Sequence, residues 1–217
     1  MARWKSGVPS RSELRDAKRD AMLREASASF NRRGFHGTSL DDVAQQLGVT
    51  KAALYYYFPN KQAMLKACFD QVMEAAFANL ERAKQEGSNG REKLRLILTY
   101  FLEYIINDLN VSVTIMEEDT LSAEDMVTVK AERDRFEYAL RDLVQEGIKD
   151  GSIIPCDPKL AVLTLLGTLN FVPRWFKPDG QWTSSQLAEL MSDMLERMIS
   201  SEPVAKLKLP PRARRAS

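Results

Sequence analysis

Between residues 38 and 61 the segment TSLDDVAQQLGVTKAALYYYFPNK brings hydroxyl, phenol and ammonium groups together with small residues at helical spacing. These groups bind; they do not break bonds. Lys51 can reach guanine acceptors or a phosphate, Ala52 and Ala53 permit close approach and can touch thymine methyls, and the Tyr55 and Tyr56 hydroxyls can bond phosphate oxygens while their rings pack on sugars. Thr38, Ser39, Thr50 and Lys61 stand where helices begin, so each puts a donor beside free backbone N–H groups that attract phosphate. A competing reading makes Thr38 or Ser39 helix caps, the tyrosines half-buried core rings and Lys61 a solvated charge. Tyr57 is expected in the core.

The elements that must hold these groups follow from the apolar pattern. Val43, Leu47, Val49 and Leu54 are spaced to fill a small core between two crossing helices, with Ala44 where they approach most closely. Gly48 can adopt the left-handed conformation of a tight interhelix turn, and Thr50 can cap the next helix. The pattern is a helix-turn-helix, whose second helix enters the major groove. Upstream, Leu14, Ala17, Ala21, Met22, Ala26 and Phe30 define an amphipathic helix over 14–33, closed by Gly34. Downstream, helices are predicted from residue 60 or 61 to about 86, and over 92–108, 111–119, 122–151, 158–176 and 186–200, with no convincing strand or repeat. The expected class is all-α.

Other chemistries find little support. The only histidine, His36, lies in the predicted turn of the DNA-binding unit, and no glycine-rich phosphate loop or nucleophile elbow is present. Glu117, Glu118 and Asp119 read as a solvated helix face. Cys68 and Cys156 match no metal spacing and read as two free thiols. Neither catalysis, a metal nor a cofactor is expected.

The chain has 217 residues and a net charge of +1, which by itself argues against nucleic acid. The distribution reverses that argument. Residues 1–66 carry 12 Lys/Arg against 6 Asp/Glu, residues 67–205 carry 14 against 24, and residues 206–217 carry 5 against none. A basic head on an acidic body suits a protein that docks one end on phosphates and displaces counterions. No run approaches the ~18–20 apolar residues of a membrane span. The first 20 residues hold no apolar stretch for a signal peptide, so a cytoplasmic location and no membrane partner are expected.

The segment FNRRGFHGTSLDDVAQQLGVTKAALYYYFPNKQAML resembles the DNA-binding domain of the Tet repressor family over about 50 residues. Phe30, Gly34, Thr38, Val43, Ala44, Gly48, Val49, Leu54, Tyr55, Tyr56, Phe58, Lys61 and Leu65 carry the resemblance. Ala52 and Ala53 depart from it, standing where Gly or Pro and Thr are common, which bears on base preference. The resemblance implies an N-terminal DNA-binding domain (12–62), a helical effector-binding and dimerisation domain (63–202), and a basic tail (203–217) expected to be disordered. It further implies a homodimeric repressor that binds double-stranded operator DNA with two-fold symmetry and is released by a small-molecule effector through movement of the fourth helix. The alternative is an activator or architectural DNA binder without a ligand.

The later run ERDRFEYALRDLVQEGIKDGSI, with LGTLNFVPRWFKPDGQWTSSQLAELMSDML, is similar to members of that family that regulate fatty-acid, sterol or aromatic catabolism, several of them responsive to acyl-CoA. Such an effector needs an apolar tube and polar contacts. Tyr100, Phe101, Tyr104, Met116, Phe136, Phe171, Trp175 and Phe176 are candidates for the tube, and Asn170 and Arg174 for the contacts. Ordinary core packing, or a salt bridge for Arg174, is the competing account. The family pairs its last two helices across a two-fold axis; here Leu163, Leu166, Leu187, Leu190, Met191, Met194, Leu195 and Met198 are the candidate interface.

Overall fold

The computed structural model describes residues 10–107 and 120–202. Eight helices account for nearly all of them: α1 (Arg11–Arg33), α2 (Leu40–Gln46), α3 (Lys51–Tyr57), α4 (Lys61–Glu86), α5 (Gly90–Asn107), α6 (Ala123–Asp150), α7 (Pro158–Trp175) and α8 (Ser184–Ile199). The only β pairing among the described residues is one isolated bridge, Ile153 to Ser200, which ties the end of α6 to the end of α8. The all-α expectation holds. The helix predicted over 111–119, with Met116 and the acidic run Glu117 to Asp119, lies outside the described residues, as does the basic tail.

Local sequence explains where the helices start. Ser10, Ser39, Thr50, Asn60, Ser122, Asp157 and Thr183 each cap one, their side-chain oxygens accepting an otherwise orphaned N–H of the first turn. Ser10 and Glu13 form a reciprocal capping box that extends α1 three residues beyond the predicted start. Between α2 and α3, Gly48 has φ of 65°, where a Cβ would be strained, and the tight turn depends on it.

The first three helices pack around Leu23, Ala26, Val43 and Leu54, all fully buried, with Leu47 and Val49 half-buried against them. At ~1.5–3 kcal/mol per large apolar side chain, these contacts hold short helices that would not form alone. α4 packs on α1 at its beginning and on α5 and α6 further along, so one continuous helix joins the DNA-binding unit to the rest. α5 is central, touching α4, α6, α7 and α8. Its first residue, Gly90, sits so close to Gly147 of α6 that a Cβ would lie 2.1 Å from the Gly147 nitrogen. No helix among the described residues is long and apolar enough to cross a membrane.

Candidate nucleic-acid interface and effector cavity

α3 stands with one face in the core and the other in solvent. Leu54 is its buried anchor, while Tyr56 is 77% exposed and Lys51, Ala52 and Tyr55 are also open; Ala53 is half-buried. The Lys51 ammonium lies 2.8 Å from an Asp41 carboxylate oxygen and 5.7 Å from the centre of the Tyr55 ring. The hydrogen bond to Asp41, and then its charge, push Lys51 above the usual lysine range. Ser39 and Thr50 accept from the backbone N–H of Asp42 and Ala53 at 3.1 and 3.2 Å. Both residues are exposed, so each hydroxyl keeps its own proton for an outside acceptor.

Two expected phosphate donors also bond to the protein's own backbone. Thr38 is buried and its hydroxyl donates to the Gly34 carbonyl at 2.9 Å. The Lys61 ammonium donates to the carbonyls of Phe35 and Thr38 at 2.7 and 2.9 Å and sits 4.2 Å from the centre of the Phe35 ring. The physical reason is the turn after α1, which leaves backbone carbonyls without helical partners; these two side chains satisfy three of them. Tyr57 is half-buried, edge-on to Tyr56 with ring centres 5.3 Å apart.

Further along the body, α4, α5, α6 and α7 line a partly open cavity of about 300 Å³. Phe69, Val72 and Met73 of α4, Phe101 of α5, Phe136 of α6 and Leu163, Leu166 and Gly167 of α7 form its apolar wall. Its polar groups are Arg133, Glu137 and Asn170. The Phe136 ring is wedged between Phe77, edge-on at 5.5 Å, and Phe101 at 5.9 Å. Burial pulls the Arg133 guanidinium below the usual arginine range.

Of the residues expected at an effector site, Phe101, Phe136 and Asn170 reach the cavity. Tyr100 does not: its hydroxyl bonds Glu86, and the Arg82 guanidinium covers its ring at 4.1 Å on the α4–α5 surface. Tyr104 is half-buried against the core without lining the cavity. Phe171, Arg174 and Trp175 are exposed, because Val172 and Leu169 occupy the inward positions of α7. Phe176 is buried but caps the end of α7. The α4 contribution was missed, since Phe69, Val72 and Met73 at three- and four-residue spacing look like any core stripe. Arg133 left a readable signal: it falls in register with Val129, Phe136 and Leu140, a cation on a buried face.

The expected dimer set also divides. Leu187, Leu190 and Leu195 are buried within the protomer. Leu166 is half-buried in the cavity wall, and Met191 is half-buried. Leu163, Met194 and Met198 are exposed, as are Leu160, Phe171 and Trp175 of α7, and Leu160 and Met198 line one cleft between α7 and α8. Both cysteines are free thiols, Cys68 buried and Cys156 half-buried.

Comparison with known proteins agrees with this geometry. Residues 22–68 match the family described as bacterial regulatory proteins, tetR family, and residues 87–199 match the tetracyclin repressor-like C-terminal domain. The transcriptional regulator RutR of Escherichia coli K12 is 30% identical over 157 residues, covering 69% of this chain and 70% of its own. The transcriptional repressor KstR2 of Mycolicibacterium smegmatis is 25% identical over 179 residues, covering 80% and 86%. Among solved structures, AibR in complex with isovaleryl coenzyme A and operator DNA superposes with a TM-score of 0.69 at 29% identity, covering 82% of this chain and 97% of that one.

Proposed function

The chain belongs to the tetR family of bacterial regulatory proteins, and from that premise we propose that it is a homodimeric, effector-released transcriptional repressor. Residues 12–62 read a pseudo-palindromic operator, and residues 63–202 bind the effector and the partner protomer. The observation that carries this reading lies in α4. One end of that helix holds the Lys61 clamp on the DNA-binding unit, and Phe69, Val72 and Met73, two to three turns on, form a wall of the cavity.

An effector filling the cavity must push on α4, and a rigid helix passes that displacement to the turn that seats α2 and α3. Two recognition helices held at a fixed separation by a dimer cannot both tolerate it, so occupied protein leaves DNA. Ser39, Thr50, Lys51, Ala52, Ala53, Tyr55 and Tyr56 make the DNA contacts, and Thr38 and Lys61 hold them in place. The exposed apolar residues of α7 and α8 support dimerisation, since monomers seldom leave so many large apolar side chains open on two helices. The relatives support the effector class: AibR carries isovaleryl coenzyme A, so an acyl thioester is the first effector to test.

The test is a duplex bound by the purified protein, monitored by fluorescence anisotropy while acyl-CoA thioesters are titrated in. Release of the duplex is the expected result. A complex that holds both DNA and thioester at saturation would overturn effector-driven release.

A further inference from the structure

Arg133 projects from α6 into a cavity wall that is otherwise almost wholly apolar, with its guanidinium carbon 5.9 Å from the centre of the Phe69 ring. It forms no ion pair with any described carboxylate. Glu137, one helical turn along and lining the same cavity, is taken by Arg141 on its far side. Asn170 of α7 is neutral. Arg133 is therefore the one cation among the described lining residues, and the one carboxylate of that lining is engaged by Arg141.

A half-desolvated guanidinium without a counter-ion is costly, and proteins keep one where something else brings the negative charge. Burial already pulls Arg133 below the usual arginine range, and a ligand anion beside it would oppose that shift by charge attraction, which favours the protonated form. The cavity's volume of about 300 Å³ lies at the small end of ligand pockets, which span about 300–1,000 Å³. A compact apolar body fits inside, and anything larger attached to it must lie outside.

Resting on the effector-binding role proposed above, we infer that Arg133 is the residue that selects the effector, by pairing with an anionic head on a compact acyl body lodged among Phe69, Phe101 and Phe136. That chemistry has two sources. In a free carboxylic acid the head is the carboxylate; in the coenzyme A thioester it is a phosphate, which the flexible pantetheine arm must bring back to the cavity mouth to meet Arg133. Arg133 offers planar, paired donors suited to either.

The experiment measures binding of octanoate, octanoyl-CoA and methyl octanoate by calorimetry to the full chain and to Arg133→Met, which removes the charge and keeps an unbranched apolar side chain. The wild type is expected to prefer an anion over the neutral ester, and the variant to lose that preference by about tenfold or more, as removal of a charged hydrogen bond does. Continued ester binding by the variant shows that its cavity is intact. Tight octanoate points to the free acid, and tight octanoyl-CoA with weak octanoate to the thioester. Equal wild-type affinity for ester and anions, or a preference that survives Arg133→Met, overturns the inference. So does failure of all three to bind; a duplex still held and released by some other compound would then leave the repressor reading standing without this effector class.

Discussion

The Lys61 ammonium donates to the Thr38 carbonyl at 2.9 Å, joining the first residue of α4 to the residue before the α2 cap. Because the same ammonium also holds the Phe35 carbonyl, the start of α4 is tied to the DNA-binding unit at two points.

Lys61→Ala should therefore act through position. Two carbonyls lose a charged donor, and stability should fall by about 1.5–3 kcal/mol, read as a lower melting temperature. Operator affinity falls as well, but the slope of log affinity against log salt stays unchanged, because no phosphate contact is lost. Lys51→Ala should lower that slope by about 1 without a comparable loss of stability. A reduced slope for Lys61→Ala would make it a phosphate contact after all.

Tyr56 is the most open large side chain of α3. Replacing it with Ala should change unfolding free energy by less than about 0.5 kcal/mol, as exposed positions do, while operator affinity drops about tenfold. Parallel denaturation and anisotropy measurements check both halves.

Asp41 holds Lys51 in the protein, and under the proposed function it would compete with DNA for that ammonium. Both groups are well exposed, so the effect is modest and salt-dependent. Asp41→Asn should tighten binding to random duplex about two- to fivefold at low salt, and the gain should vanish as salt rises. Weaker binding in the variant would mean that Asp41 positions Lys51 for DNA.

Phe171→Glu and Met194→Glu place charges among the exposed apolar residues of α7 and α8, at positions 60% exposed in the protomer. Sedimentation should show folded monomers that no longer hold a two-fold operator. Leu187→Ala, by contrast, removes a buried side chain and should cost about 2–5 kcal/mol of stability.

The Cys68 thiol is pushed up to about 12 by burial, against an ordinary 9.0. The sign follows from linkage: unfolded protein loses the thiol proton first, so this group's contribution to stability is full below about pH 9 and lost as the pH rises toward 12. A thiolate-directed reagent at neutral pH should label Cys156 in the folded protein, and both cysteines only after unfolding. Rapid labelling of Cys68 in the native state would contradict its burial.

The helices and the recognition unit were legible because they rest on local signals. Caps at Ser39 and Thr50, the glycine at 48 and the spacing of Val43 and Leu54 each act within a few residues. Which face of a helix meets which neighbour is not local. Leu187 and Met194 lie seven residues apart on nearly the same side of α8, and only the helices packed around them decide that Leu187 is buried while Met194 remains open. Phe69 and Phe171 are both phenylalanines on amphipathic helices, yet one lines a cavity and the other faces solvent. The inward bonds of Thr38 and Lys61 were hidden for a related reason: the carbonyls they satisfy come from the turn after α1, whose path no residue pattern reveals.

The central claim is that two copies of α3, held by a dimer, read a symmetric sequence. Selection from random duplex DNA at near-physiological salt, with the stoichiometry of the bound species measured by native mass spectrometry, tests it most directly. The account predicts an enriched pseudo-palindrome with half-sites about one helical turn or a multiple apart, bound by an even number of protomers and lost with Tyr56→Ala. No enriched sequence, or an asymmetric site occupied by a single protomer, would contradict it.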